Sequence, residues 1–383
     1  MTSPDDTVRP GPVTLRPISA SEHLTFVDSR SGSFLQTPAW GRLKDDWRSE
    51  SLGWFADGEL VAAALVLYRK VPRLERYLAY LPEGPVMGPQ GWEGAQVLEV
   101  LRTLRDHVRG QGAFTLRIGP TVPVRRWHAD TIKDAIVAEG VRSLTAVRPD
   151  VTHDAGVTLR AQLVRLGFEH LTADDGFAAG QPQFVFQLPL TGRTEADVQR
   201  GMNQLWRRNI KKAAKAGVVV TRGTAADLPA FHTVYTETAQ RDHFIPRPLR
   251  YFERMVEVMS AEDDDRIRLY LAHHEGDLVA ATTWVRVGHH TWYSYGASTS
   301  AKREVQGSTA IQWRMMSDAI AAGADVYDLR GITDTIASDD PHLGLIRFKV
   351  GTGGEAVEYV GEWDLPLRPL LHKAFGLYMK RRG

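Results

Sequence analysis

Three stretches of this 383-residue chain hold side chains whose type and spacing could do chemistry. The first is Leu345-Ile346-Arg347-Phe348-Lys349-Val350-Gly351, an apolar, strand-like run with a lysine inside it. A buried ammonium must find a partner. Lys349 therefore either snorkels to the surface or points into a cleft, where it could stabilise an oxyanion. The second stretch carries Arg200, Arg207, Arg208, Lys211, Lys212 and Lys215 with no acid among them. On a helix, Arg208, Lys211, Lys212 and Lys215 share one face. Glu195 and Asp197 precede them, so the run suits a helix macrodipole. It equally suits a ridge for nucleic-acid phosphates, which are gripped without reading sequence. The third stretch is Trp292-Tyr293-Ser294-Tyr295-Gly296-Ala297-Ser298. Alternation along a strand puts Trp292, Ser294 and Gly296 on one face and Tyr293, Tyr295 and Ala297 on the other. That is ordinary strand core, or a wall where small residues let a ligand come close.

Other chemistries find little support. Gly351-Thr352-Gly353-Gly354 lacks the strand–turn–helix context and the full glycine pattern of a phosphate loop. His273-His274 and His289-His290 bracket a strand of about ten residues at roughly 3.3 Å each, so they read as surface histidines beside turns and no metal site is expected. Neither a nucleophile-elbow serine nor a zinc-protease helix motif occurs. Cysteine is absent, which excludes thiol catalysis and disulfides. With a net charge of +1, any polyanion must be met by a local basic patch. No apolar run approaches a membrane span, and the loose polar tail Met1 to Pro12 lacks the apolar centre of a signal peptide. A cytoplasmic protein, monomeric and with no cofactor, is the expectation.

The elements that must position these residues come in two sets. Asp57-Gly58-Glu59-Leu60-Val61-Ala62-Ala63 returns as Glu275-Gly276-Asp277-Leu278-Val279-Ala280-Ala281. Acid-Gly-acid between apolar runs is hairpin chemistry, since glycine accepts the positive φ of a tight turn. A repeated hairpin in a chain long enough for two domains points to a duplicated domain. In the first half the pattern predicts a short helix opened by Thr37 and Pro38, strands at 51–57, 59–68 and 78–81, a helix over 93–110, a strand at 113–118, and helices over 130–139 and 152–166. The polar stretch 171–182 is the expected boundary. Beyond it lie a strand at 184–190, a long helix over 192–216, and another over 226–241. A meander follows at 267–274, 278–287 and 290–297, then a helix over 308–322 capped by Ser308. Strands at 326–329 and 357–365 and a basic helix over 367–382 end the chain. Each half runs helix, β-meander, helix, strand. That order implies an α/β fold of the α+β type with mixed sheets, fitting two tandem GNAT-like acyltransferase domains: 1–176 plus 361–383, and 177–360.

A CoA-dependent GNAT enzyme carries Arg/Gln-x-x-Gly-x-Gly/Ala at the start of its main helix, where backbone amides hold pyrophosphate. Here the place reads Arg303-Glu304-Val305-Gln306-Gly307-Ser308-Thr309. Glu304 stands where the basic residue belongs and Thr309 replaces the last small residue. The donor is therefore expected to be something other than CoA.

Taken in order, several blocks resemble the FemABX family of aminoacyl-tRNA-dependent transferases that build peptidoglycan side branches. They are Phe34-Leu35-Gln36-Thr37-Pro38-Ala39-Trp40-Gly41-Arg42-Leu43-Lys44, Gly84-Pro85-Val86, Arg207-Arg208-Asn209-Ile210-Lys211-Lys212-Ala213, Glu237-Thr238-Ala239-Gln240-Arg241-Asp242, Tyr295-Gly296-Ala297-Ser298, Tyr327-Asp328-Leu329-Arg330-Gly331-Ile332 and Arg347-Phe348-Lys349. The resemblance spans nearly the whole chain. It implies transfer of an amino acid from aminoacyl-tRNA onto a stem-peptide amine of a cell-wall precursor, UDP-MurNAc-pentapeptide or lipid II, and hence a part in cell-wall biogenesis and cell shape. It further implies that Lys349, within the Arg-Phe-Lys motif with Phe348, stabilises the transition state. Lys44 and Arg241 are implied to hold the precursor's diphosphate, and Tyr293 and Tyr295 to line the acceptor wall. The basic residues Arg207, Arg208, Lys211, Lys212 and Lys215 would then meet the tRNA.

Two departures stand out. Many members have Asp where Arg117-Ile118-Gly119-Pro120 carries Gly119, so no acid is carried over there. Some insert a helical hairpin after the basic helix, whereas here Gly217 leads almost at once to the next helix, so no coiled-coil arm is expected. Three alternatives stay open: the same chemistry on a peptide natural product, a CoA-dependent N-acetyltransferase, and a non-enzymatic RNA-binding module. Leu370, Leu371, Phe375 and Tyr378 beside Arg368, Lys373, Lys380, Arg381 and Arg382 would let the last helix touch the inner membrane peripherally, or pack back on the first domain.

Overall fold

The structure, a computed structural model, describes residues 13–88, 91–92, 96–172 and 180–380. The tail 1–12, the boundary residues 173–179, the helix start at 93–95 and the basic pair Arg381 and Arg382 lie outside the described residues. Two compact units emerge. One comprises Met1–Val122, Asp154–Leu171 and Val360–Gly383; the other comprises Pro123–His153 and Thr172–Tyr359.

The first unit is built on a mixed sheet. Its spatial order is Thr14–Pro17, Arg48–Ala56, Glu59–Lys70, Tyr77–Leu81, Ala113–Ile118, Trp363–Pro366 and Glu169–His170, with Val86–Met87 also on Glu59–Lys70. Tyr77–Leu81 and Ala113–Ile118 run parallel; the other neighbours are antiparallel. The second unit has a mixed sheet in the order Val219–Gly223, Ile267–His274, Asp277–Val287, His290–Ser298, Val326–Ile332, Phe184–Pro189, Glu355–Tyr359, Pro123–His128 and Val151–Thr152. Its parallel pair is His290–Ser298 with Val326–Ile332.

The repeated turn forms the same hairpin twice. Asp57 and Gly58 have φ of 50° and 84°, and Glu275 and Gly276 have 52° and 87°. Two successive left-handed residues make the type I′ turn that suits strand twist. The copies also share a bulge. Trp54 pairs with Ala62 and Phe55 with Leu60, just as Ala272 pairs with Ala280 and His273 with Leu278. The extra residue is Val61 in one and Val279 in the other. Its carbonyl accepts from the next segment, from Gly88 N at 2.7 Å and from Thr299 N at 3.1 Å.

Several expectations need correction. Residues 123–153, expected in the first domain, belong to the second unit, because Pro123–His128 pairs antiparallel with Glu355–Tyr359. The single strand expected over 357–365 is two strands. Glu355–Tyr359 completes the second unit's sheet and Trp363–Pro366 the first unit's, with Gly361 left-handed between them (φ 86°). The helix expected over 192–216 is Glu195–Gly201 and Gln204–Lys215, because Asn203 turns extended and caps the second with its side chain on Trp206 N. Ser308 is no cap: Gln306, in the left-handed region, precedes the helix Gly307–Ala321. A helix at Leu249–Ser260 was not expected.

Candidate active site

The run expected as a strand around Lys349 is the helix Leu343–Val350. A short apolar run does not fix its own period. Here Leu343, Ile346, Lys349 and Val350 are buried, which is helical spacing. Lys349 therefore points inward and is 3% exposed. Its Nζ donates to Gly331 O at 2.7 Å and to Arg330 O at 3.2 Å. An ammonium has three N–H donors, and the third has no acceptor among the described residues. Burial brings Lys349 down to about 7; the Asp328 carboxylate resists that fall and the Arg330 charge adds to it.

The two carbonyls lie beside an opening in the sheet. His290–Ser298 and Val326–Ile332 pair only from His290, Thr291 and Trp292 to Val326, Tyr327 and Asp328, and then part. Each strand is bulged just beyond. Ser294 and Ala297 pair with Thr283 and Ala281, so Tyr295 and Gly296 together face Thr282, and Tyr295 has φ 49°. Across the opening, Asp328 and Gly331 pair with Gln187 and Val185, and Arg330 has φ 64°. Left-handed conformations at two non-glycine residues cost on the order of 1–3 kcal/mol each and gather at functional sites.

The bulge overturns the alternation expected of the aromatic strand. Tyr293 pairs with Trp284 and packs on the larger core cluster. Tyr295 packs on the smaller one, against Phe252 with ring centroids 5.1 Å apart, and its hydroxyl meets that of Tyr251 at 3.0 Å. The two tyrosines do not share a face. Gly296 serves its own neighbour: a Cβ there would fall 1.6 Å from the Tyr293 hydroxyl. Burial, with the Asp242 charge second, pushes the Tyr293 phenol up to about 12.

Arg241, on the helix Leu228–Asp242, lies at the end of this bulged strand. It donates to Ser298 O at 2.8 Å and to Asp242 Oδ1 at 2.9 Å. Lys44, in the first unit, ends the helix Pro38–Leu43 with Nζ 4.7 Å from the Trp40 ring centre. Phe348 turns its ring to Trp206 (centroids 4.8 Å apart), and Trp206 Nε1 donates to Phe348 O at 2.8 Å. Trp206 belongs to the basic helix, so that helix is fastened to the peptide before Lys349. Arg207, Arg208, Lys211, Lys212 and Lys215 are all exposed. Arg207 donates to Met202 O, whereas Arg208, Lys211, Lys212 and Lys215 make no ion pair among the described residues.

The glycines of 351–354 are explained by close packing. A Cβ at Gly353 would fall 2.2 Å from Gly201 O and one at Gly354 2.2 Å from Gln187 O. Gly307 likewise faces Val279 Cγ2 at 2.7 Å.

Sequence reasoning missed three residues. Asp328 is 1% exposed, accepting from Arg330 N at 2.5 Å and from Gln187 Nε2 at 2.9 Å. Burial pushes its carboxyl up, but the His290 imidazole and the Arg330 charge outweigh this and hold it below the usual range. His290, expected at the surface, has Nε2 3.5 Å from Asp328 Oδ2 and stacks on Trp292 (centroids 4.0 Å apart). In the first unit, Glu362 fills the room left by Gly119, where a Cβ would meet its Cγ at 2.9 Å, and accepts from the Tyr80 hydroxyl at 2.5 Å. Among the described residues no cluster of three or more metal-ligating side chains occurs, and no helix is long and apolar enough to cross a membrane.

Comparison with known proteins places this architecture. The chain is 22% identical to the lipid II:glycine glycyltransferase of Staphylococcus aureus (strain MRSA252), over 93% of each chain. Its fold is similar to that of the solved FemX structure, with a TM-score of 0.79 at 22% identity over 94% of this chain and 99% of FemX. It is also similar to a tandem GNAT protein from the clavulanic acid biosynthesis pathway, with a TM-score of 0.50 at 12% identity over 93% and 98% of the two chains. The fold is thus mixed α/β, of the tandem GNAT-like kind. The sequence model of the FemAB family matches residues 18–275 and 267–380, and the chain belongs to that family.

Proposed function

We propose that this protein transfers an amino acid from aminoacyl-tRNA onto the stem-peptide amine of a peptidoglycan precursor, UDP-MurNAc-pentapeptide or lipid II. The observation that carries the proposal is Lys349: a buried ammonium, seated on two carbonyls beside the parted strands, with one N–H left over. The name of the Staphylococcus aureus relative supports a lipid-linked cell-wall acceptor.

In the reaction the acceptor amine, with a reference pKa near 10.4, loses its proton and attacks the ester carbonyl carbon. A C–N bond forms and the carbonyl oxygen becomes an oxyanion, which accepts the spare N–H of Lys349. The C–O bond to the tRNA ribose then breaks, and the leaving ribose oxygen takes the second proton released by the attacking nitrogen and becomes a hydroxyl. Substrate groups carry the protons, and the enzyme supplies alignment and charge. Arg241 binds the acceptor's diphosphate, while Arg208, Lys211, Lys212 and Lys215 meet tRNA phosphates from a helix pinned to Phe348.

The test is incubation with charged total tRNA and either acceptor, read by mass. The acceptor should gain one amino-acid residue, which also identifies the donor. Lys349→Ala should lower turnover roughly a hundredfold or more with acceptor affinity kept. No mass gain on either acceptor, or acetylation from acetyl-CoA in its place, would overturn the proposal.

A further inference from the structure

We propose that Asp328 is a positioning residue for Lys349, holding the left-handed Arg330 turn whose carbonyls seat the ammonium. The proposal rests on the transfer reaction above and deepens it.

Lys349 cannot aim itself. Its stem is flexible, and a lysine loses up to about 2 kcal/mol of side-chain entropy when fixed. Its direction is set by the carbonyls of Arg330 and Gly331. Those carbonyls stand where they do because Arg330 is left-handed, which is unfavourable for a residue with a Cβ. Asp328 Oδ1 offsets that cost by accepting from Arg330 N at 2.5 Å, two residues on, an Asx turn made inside a strand. The carboxylate is itself held. Gln187 Nε2 donates to its Oδ2 at 2.9 Å and to the Tyr359 hydroxyl at 2.7 Å. A chain of fixed groups thus runs from two neighbouring strands to the ammonium.

Charge acts along the same line. Asp328 and Arg330 on their strand are the charges that shift Lys349, and His290 on the adjacent strand faces Asp328. The helix Ala129–Val137, packed against Leu343–Val350, keeps Asp130 and Asp134 exposed, and Lys133 pairs with Asp130. On the lysine's own helix Arg347 is exposed, and His342 beside its start lies 3.3 Å from Asp340.

The test compares wild type with Asp328→Asn, which keeps an oxygen for Arg330 N and removes the charge. Two readouts are taken: steady-state transfer across pH, and the Lys349 titration followed by NMR on lysine-labelled protein, assigned with Lys349→Arg. The expected result is a kcat lower by about ten- to a hundredfold with acceptor KM nearly unchanged, as for a misplaced catalytic group. The Lys349 midpoint should fall, and the high-pH limb of kcat should move down with it. An unchanged midpoint with unchanged kcat, or with kcat and KM impaired together, would overturn the proposal. If Asp328→Asn does not fold, Gln187→Met tests the same chain and should lower kcat in the same direction by a smaller factor. A wild-type enzyme that transfers nothing would instead refute the transfer reaction. The NMR arm would still decide the link between Asp328 and Lys349, because a midpoint insensitive to Asp328→Asn sinks it.

Discussion

A lysine sealed in a protein interior is an expense in stability that only its charge can justify. Lys349 is held down near 7 by burial, whereas in the unfolded chain it titrates near 10.4. Between those values the unfolded chain binds the extra proton, so this residue's contribution to stability improves as pH rises from 7 towards 10. Lys349→Met removes the ammonium but strands the carbonyls of Arg330 and Gly331, a loss that is the same at every pH. The variant's melting temperature relative to wild type should therefore be more favourable at pH 6 than at pH 9, while turnover falls roughly a hundredfold or more. A difference that is flat with pH would mean that the ammonium is not buried in solution. Arg241 makes a second case. Its guanidinium is already anchored by Ser298 O and Asp242, so under the proposed function it would meet a diphosphate in a fixed pose. Arg241→Lys keeps the charge and loses the planar fork. Acceptor KM should rise several-fold to about tenfold, with kcat little changed. An unaltered KM would remove Arg241 from acceptor binding.

At the scale of elements, the basic helix Gln204–Lys215 and the helix Leu343–Val350 act as a pair. Trp206 joins them through Phe348 O, and Asn203 N donates to Gly351 O at 2.9 Å. Trp206→Phe should cost about 1 kcal/mol from the lost hydrogen bond, and kcat should fall more than tRNA affinity. Replacing Arg208, Lys211, Lys212 and Lys215 by Ala should do the reverse: weaker tRNA use and a shallower salt dependence, by about one unit of slope for each phosphate no longer engaged. A salt slope equal to wild type would place the tRNA elsewhere. What was legible in the sequence follows the range of the forces involved. The hairpin turns were readable because two adjacent residues decide them, and the basic face because its spacing is local. The helix around Lys349 was not, since eight mostly apolar residues suit either period and packing chose. Nor was the parity of Tyr293 and Tyr295, which depends on a bulge set by the partner strand, nor the switch at Gly361, where one apparent strand serves two sheets. Asp328 read as part of a resemblance, and its task became visible only once Arg330 was seen to be left-handed.

Across the whole molecule the two units put the same hairpin to different use. In the second unit Thr283, equivalent to Leu65, pairs with Ser294 on the next strand, and its hydroxyl donates to Ser294 O at 2.8 Å. In the first unit the next strand leaves after Leu81 and rejoins at Val86, so Leu65 has no strand partner on that side. Gln36 takes the vacant place. Its side chain is fully buried, accepts from Leu65 N at 2.9 Å and donates to Pro82 O at 2.7 Å. Gly84 makes the room, since a Cβ there would lie 2.4 Å from the Gln36 amide carbon. The gap beside Leu65 is thus stoppered by one side-chain amide imitating a backbone, where the second unit pairs strand to strand. Gln36→Ala should leave a buried N–H and a buried C=O without partners, at about 1–3 kcal/mol each. The loss should be read as a lower melting temperature and as lost hydrogen-exchange protection at Leu65, while the Thr283 amide stays protected. Gln36→Glu keeps the acceptor for Leu65 N but, when ionised, has no proton for Pro82 O. It should fall between wild type and Gln36→Ala at neutral pH, and approach wild type as acid protonates it. Equal stability of all three proteins would show that the amide fills space without replacing the strand.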